Sequence, residues 1–206
     1  MERRGAVAAA LAAALIYFVN AVSPPALMDD VDAVQAQIAR NMLDSGDWVT
    51  ARLNGIVYLE KAPGPYWMMA ASYAVFGVRD WAARLPFAIS AVGLAWVTAL
   101  MGGWAFGARA GMFAGLSVGC SAGLWLFTRI AIPDVTLTLA VALAMWALLR
   151  FEETSRRWWA WLFWVSMGAG FLLKGLIAVV FPAAAAALYM AMRRKSPSGL
   201  DGGWRP

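Results

Sequence analysis

The run LPFAISAVGLAWVTALMGGWAF, residues 85–106, is 22 residues long and carries no charged side chain. A transmembrane helix needs about 20 consecutive, mostly apolar residues to cross a bilayer. The whole chain has the same character, with 62% apolar and 14% charged residues and a mean hydropathy of +0.64. Soluble domains carry about 25% charged residues. This chain therefore has too little polar surface for a globule in water, and we predict a membrane protein.

Five other apolar runs approach the same length, so we predict an all-α, polytopic transmembrane helical protein with about six spans. The other runs are residues 5–22, 110–127, 135–151, 158–173 and 176–192. Tryptophans 158, 159 and 161 follow Arg156 and Arg157, and aromatic side chains beside a charged loop are typical of a membrane interface.

The first run follows Glu2-Arg3-Arg4 and has an alanine-rich centre, which is also the pattern of a secretory signal peptide. Ser23-Pro24-Pro25 is a poor cleavage context, and further spans follow it. We therefore expect a retained membrane anchor.

The rare residue types limit the chemistry. A single cysteine, Cys120, excludes a disulfide framework within the chain, and the absence of histidine excludes a His/Cys zinc site. Any metal would have to be a hard divalent cation held by oxygen ligands. The net charge of +5 comes without a basic helix or a base-stacking platform. It indicates contact with membrane lipids and no nucleic-acid partner.

Residues 23–84 are less apolar and predict two short helices around a turn. Apolar residues at helical spacing predict an amphipathic helix over 32–44. Asn54-Gly55, flanked by β-branched and aromatic residues, predicts a hairpin or an extended loop. A second helix is expected over 66–76, with Pro65 as its first residue. Because this second helix is too short to span and carries several aromatic residues, we expect it at the membrane interface.

Short loops rich in arginine lie near residues 3–4, 107–109, 150–157 and 193–195. The positive-inside rule places them, and both termini, in the cytoplasm. The predicted organisation is then an anchor (1–22), an outward-facing loop with interfacial helices (23–84), a five-span helical domain (85–192) and a polar cytoplasmic tail (193–206).

Several charged residues fall on the outward side. Asp29, Asp30 and Asp32 precede the first short helix, and one of them is explained by helix capping. Three aspartates are more than capping needs, and a carboxylate held near an acceptor hydroxyl can act as a general base.

Glu60-Lys61 is either a solvated ion pair or part of a site. Prolines at 63 and 65 restrict the backbone beside the pair. A lysine there can hold a phosphate, and the glutamate can bind a cation or orient the lysine.

Arg129, Asp134 and Lys174 lie at predicted span ends. Arg129 and Asp134 could form a simple salt bridge, and Lys174 could extend to the interface. Charges at membrane depth are costly, however, and mark functional sites by default. Three cations and several carboxylates on one side suit a lipid-linked phosphate.

The stretches IARNMLDSGDWVTARLNGIVYLEKAPGPYW, FGVRDWAARLP, RIAIPDVTLTLAVALA and FLLKGLIAVVFP occur in this order. Together they resemble the bacterial aminoarabinose and protein-mannosyl transferase group, which are polyprenyl-phosphate-sugar-dependent glycosyltransferases of the GT-C class. The similarity extends from about Asp29 to Pro182. It implies two interfacial helices in the first outer loop, an active site at the outer face of the bacterial inner membrane, and a polyprenyl-phosphate sugar donor.

The resemblance also implies roles for individual residues. One aspartate among Asp29, Asp30 and Asp32 would activate the acceptor. Glu60 and Asp134 would bind the acceptor or a divalent cation, with Glu60 as the metal ligand. Lys61, Arg129 and Lys174 would neutralise the donor phosphate, with inversion at the sugar carbon.

The chain departs from the group's pattern in two ways. Ala62 replaces the first proline of the usual Glu-Lys-Pro-Pro, and Gly64 follows the second. Members of the group are also several hundred residues long. The alternative function is therefore a truncated, non-catalytic transferase-like subunit that packs with other membrane proteins in a larger complex.

Overall fold

We describe the fold from a computed structural model. It describes residues 2–23, 26–27 and 30–195, with the side chains of residues 4–23, 26–27 and 31–192. The helices are α1 (Glu2–Val22), α2 (Asp30–Ser45), α3 (Gly64–Phe76), α4 (Asp80–Phe106), α5 (Ala108–Gly119), α6 (Ala122–Arg129), α7 (Asp134–Thr154), α8 (Arg157–Lys174) and α9 (Ile177–Lys195). The strands β1 (Arg52–Leu53) and β2 (Ile56–Val57) form one antiparallel hairpin. The predicted all-α class is confirmed.

All six predicted spans fall on helices. By length and composition, α1, α4 and α7 can each cross a membrane. Helices α5 and α6 meet at a bend of 46° and would make a fourth span if the bent pair crosses as one unit. The apolar part of α9, Ile177–Met192, is shorter. The chain is thus a multi-pass membrane protein, and the count of six remains a prediction.

Small residues let α1, α4 and α5 pack closely. Gly111, Gly115 and Gly119 recur every fourth residue on one face of α5. A Cβ atom added to Gly111 would lie 2.4 Å from the carbonyl oxygen of Ala99 on α4. Such close approach of backbones is how membrane helices associate where the lipid offers no hydrophobic driving force. From α1, the Tyr17 hydroxyl donates a 2.9 Å hydrogen bond to the carbonyl oxygen of Gly119.

The helices and the hairpin predicted for residues 23–84 are present. Helix α2 begins at Asp30, two residues earlier than expected, and α3 begins at Gly64, directly before Pro65. The start of α3 can include Pro65, since the first turn of a helix needs no N–H partner there. Asn54 and Gly55 have positive φ angles of 52° and 81° and close the hairpin. The placement of α2 and α3 at the interface remains a prediction.

Helix α4 begins at Asp80, so residues 80–84, assigned above to the outer loop, form its first turn. This places Arg84 inside the protein, where 3% of its surface is exposed. Helices α2, α3 and the start of α4 share a core that includes Ile38, Met69 and Phe87. The segment between α1 and α4 is therefore packed against the start of α4.

Candidate functional site

Four of the predicted site residues line one cleft of about 560 Å³. Glu60 and Lys61 enter it from the loop before α3, Asp134 from the start of α7, and Lys174 from the end of α8. The other lining residues are Leu59, Ala62, Ile132, Pro133, Leu173 and Gly175. The cleft therefore combines two cations and two carboxylates from three distant parts of the chain.

Lys174 and Asp134 form an ion pair, with 2.5 Å between Nζ and Oδ1. Asp134 is the first residue of α7, where the helix dipole stabilises a negative charge. Gly175 follows and ends α8 with a φ of 69°, a positive angle that glycine adopts readily. The two side chains are 42% and 34% exposed, so the pair contributes at most about 1 kcal/mol to stability. Lys174 can therefore exchange this partner for a ligand at little cost.

The Glu60-Lys61 loop is organised by a tyrosine. The Tyr58 hydroxyl donates a 2.6 Å hydrogen bond to Oε2 of Glu60. This bond raises the pKa of Tyr58, because ionising the tyrosine would break it. Lys61 is exposed, so its ammonium group is available to a ligand in the cleft.

Tyr66, on α3, is fully buried. Within the described part of the chain, its hydroxyl has no hydrogen-bond partner. Burial raises the pKa of Tyr66, and the nearby Tyr58 and Glu60 raise it further. Tyr66 is therefore neutral at any physiological pH. It lies close enough to Glu60 for the glutamate's negative charge to raise its pKa.

Gly64 explains one departure from the family pattern. A Cβ atom at this position would lie 2.5 Å from the carbonyl oxygen of Leu172, near the end of α8. Real Cβ atoms do not approach a backbone oxygen so closely. Gly64 therefore allows the start of α3 to contact the end of α8, and Lys61 and Lys174 each lie within three residues of this contact.

Arg129 lies in a different environment from the two lysines. Its Nη1 atom donates to the backbone oxygen and to Oδ1 of Asn20, at 3.0 and 3.1 Å. Its guanidinium also lies 5.8 Å from the ring centre of Trp125. Residues 132–134 of the same loop do line the cleft. Arg129 is thus tied to the end of α1, and its predicted role at the phosphate remains a prediction.

The structure describes the three predicted catalytic aspartates to different extents. Asp29 lies outside the described residues, and only the backbone of Asp30, the first residue of α2, is described. The Asp32 carboxylate is buried and lies 3.7 Å from Nη2 of Arg84. Sequence reasoning missed Arg84 as a site residue, although an arginine next to a long apolar run was a signal for it.

Within the described side chains, no three histidine, cysteine, aspartate or glutamate residues converge as a metal site. Glu60 and Asp134 are the carboxylates that line the cleft. Mg²⁺ commonly binds one or two protein carboxylates together with substrate phosphates, so these residues fit such a hard cation.

A family model described as dolichyl-phosphate-mannose-protein mannosyltransferase matches residues 60–198. This range includes the four charged residues that line the cleft. The chain belongs to this family. Membership in the mannosyltransferase family confirms the resemblance read from the sequence.

Relatives of known name support the assignment. An undecaprenyl phosphate-alpha-4-amino-4-deoxy-L-arabinose arabinosyl transferase of Pseudomonas fluorescens Pf-5 is 35% identical over 166 residues, covering 78% of this chain and 28% of the relative. The arabinosyl transferase of Pseudomonas aeruginosa LESB58 is 30% identical over 203 residues, covering 95% of this chain and 36% of the relative. This member of the mannosyltransferase family thus spans about a third of its relatives' length.

Two solved structures share the fold. They are ArnT from Cupriavidus metallidurans in the apo state and bound to undecaprenyl phosphate, both with a TM-score of 0.83. Sequence identity is 30% and 29%, over 91% and 92% of this chain and 36% of ArnT. The helical membrane architecture of this family member is therefore that of the corresponding part of ArnT.

Proposed function

We propose that this chain supplies the donor-phosphate site of a membrane glycosyltransferase that moves a sugar from a polyprenyl phosphate to a lipid, glycan or protein acceptor. The observation that carries the proposal is the convergence of Lys61 and Lys174 on one cleft. The likeness to ArnT, whose structure was solved with undecaprenyl phosphate, supports the choice of donor.

The chemistry follows from the charges. Attack by the acceptor hydroxyl on the sugar carbon breaks the bond to the phosphate oxygen, and the phosphate leaves with an added negative charge. Lys61 and Lys174 would stabilise that charge as it forms, and Arg129 would add a third cation. Fixed charges that face the developing charge commonly lower such barriers most. A carboxylate at the start of α2 would take the acceptor's proton, and a direct displacement inverts the sugar carbon.

The decisive test compares two lipids that differ by the phosphate. We expect the purified chain in nanodiscs to bind undecaprenyl phosphate at least about tenfold more tightly than undecaprenol, because a retained ion pair with lysine is worth more than 1 kcal/mol when partly desolvated. Tryptophan fluorescence would report both titrations. Equal affinities would contradict the proposal. Phosphate-selective binding without sugar transfer, with or without co-purifying membrane proteins, would favour the non-catalytic subunit.

A divalent cation extends this proposal. Glu60 and Asp134 would hold it, and it would supply positive charge beside the donor phosphate. We expect EDTA to weaken undecaprenyl phosphate binding several-fold, Mg²⁺ or Mn²⁺ to restore it, and Glu60→Gln to remove the difference. Binding that is insensitive to EDTA in the unaltered chain would refute the metal.

The proposed orientation puts the cleft on the outer face of the inner membrane, with both ends of the chain in the cytoplasm. The positive-inside rule assigns four charged residues to the outward side. All four line the same cleft, which supports this orientation: Glu60, Lys61, Asp134 and Lys174. In a Cys120→Ser background, Lys61→Cys should react with a membrane-impermeant maleimide added to spheroplasts. Protection until the membrane is permeabilised would reverse the orientation.

A further inference from the structure

A buried ion pair joins α2 to α4 at the end of the molecule that carries the cleft. The side chains of Asp32 and Arg84 are 6% and 3% exposed, and Oδ2 lies 3.7 Å from Nη2. Removing two charges from water is costly, and their attraction offsets that cost only when both remain in place. Removing one partner leaves the other buried without its counter-charge.

The position of Asp32 is unsuited to a general base. A base must reach the acceptor hydroxyl and accept its proton. The Asp32 carboxylate is enclosed and faces a guanidinium that stays protonated. If Asp32 took up a proton, Arg84 would keep its charge in the interior without this partner.

Arg84 also links Asp32 to the loop that leads to the cleft. Its Nε atom donates to the carbonyl oxygen of Arg129, at 3.2 Å. Arg129 in turn binds Asn20 at the end of α1. Five residues further along the chain, Asp134 lines the cleft beside Lys174. The loop contains Ala131, whose φ of 55° is unusual for a residue with a side chain and shows that its surroundings hold the backbone in place.

We infer that Asp32 and Arg84 are positioning residues and that Asp32 is not the base that activates the acceptor. The pair holds the start of α2 and the loop at 129–134 in a fixed relation. Arg84 connects them, because one guanidinium contacts Asp32 on one side and the Arg129 carbonyl on the other. This inference rests on the proposed function only where it concerns the acceptor.

The test is a double-mutant cycle with Asp32→Asn, Arg84→Gln and the two combined. Each single variant leaves one buried charge without its partner in this ion pair, so we expect a lower melting temperature and about tenfold weaker undecaprenyl phosphate binding. The combined variant removes both charges and leaves neutral polar side chains at both positions. We expect it to regain most of the melting temperature and binding, and to transfer aminoarabinose from undecaprenyl phosphate within about tenfold of the unaltered chain.

The matched control is the ion pair of Arg40 and Asp44, also on α2, whose side chains are 53% and 64% exposed. Asp44→Asn, Arg40→Gln and their combination should show no coupling in any readout, since exposed pairs contribute little.

Two outcomes would overturn the inference. If the combined variant folds like the unaltered chain yet loses turnover by about 100-fold or more, Asp32 is the base, because general-base removal has effects of that size. If the single variants are as stable as the combined one, the pair positions nothing. The melting temperatures are measured without ligand, so they report the coupling between Asp32 and Arg84 even if the chain does not bind undecaprenyl phosphate. A failure to bind this lipid would count against the proposed function.

Discussion

Replacing Lys61 by alanine is expected to lower kcat/KM for a polyprenyl-phosphate sugar by about 100-fold or more, since losing one group that stabilises a developing oxyanion has effects of this size. Lys61 is exposed in the cleft, so the substitution removes a charge without opening the core. The melting temperature should therefore stay within about 2 °C, as for most surface substitutions. Turnover in nanodiscs and undecaprenyl phosphate titration measure the two effects.

Arg52→Ala is the control for Lys61→Ala. Arg52 is an exposed cation of the same outer segment and lines a different depression, beside Asn41 and Asn54. The hydrogen bond that Asn41 makes to Arg52 uses the backbone oxygen, so it survives the substitution. Lys61→Arg should keep part of the activity, because it keeps the charge with a different geometry. Equal losses in Arg52→Ala and Lys61→Ala would mean that the net charge of the outer face matters and Lys61 holds no phosphate.

Gly64→Ala is expected to destabilise the protein and to weaken lipid binding in the cleft, although it adds only one methyl group. The new Cβ atom would lie 2.5 Å from the carbonyl oxygen of Leu172, and backbone cannot rotate away as a long side chain can. The start of α3 would have to move from the end of α8. Because Lys61 and Lys174 lie within three residues of this contact, the cleft would widen. We expect a loss of about 1–3 kcal/mol in stability, as for other overpacked sites, and undecaprenyl phosphate binding weakened by about tenfold or more.

The same substitution at a glycine of α8 gives the comparison. A Cβ atom at Gly168 meets nothing within 4 Å. Gly168→Ala should therefore be neutral or stabilise the helix by up to about 1 kcal/mol, since alanine is the better helix former. Thermal unfolding in one detergent and lipid titration would compare both variants. A Gly64→Ala protein that binds the lipid normally would show that the contact of α3 with α8 does not set the lysine spacing.

Much of the site could be read from the sequence, because its parts carry local signals. Glu60-Lys61 is followed closely by two prolines, and Lys174 stands before a glycine that ends a helix. The pairing of the charges could not be read in this way. The sequence left open a bridge between Arg129 and Asp134, whereas Asp134 pairs with Lys174, 40 residues away, and Arg129 binds Asn20, 109 residues away.

The sequence by itself determined the membrane class, the helices, the hairpin turn and the family, since hydropathy, periodicity and turn residues act over a few neighbours along the chain. Only the tertiary structure decided that Asp32 is buried against Arg84 and that Gly64 touches the end of α8. These contacts depend on how separate helices pack. Packing fixes distances of a few ångströms between residues whose separation in sequence carries no information about them.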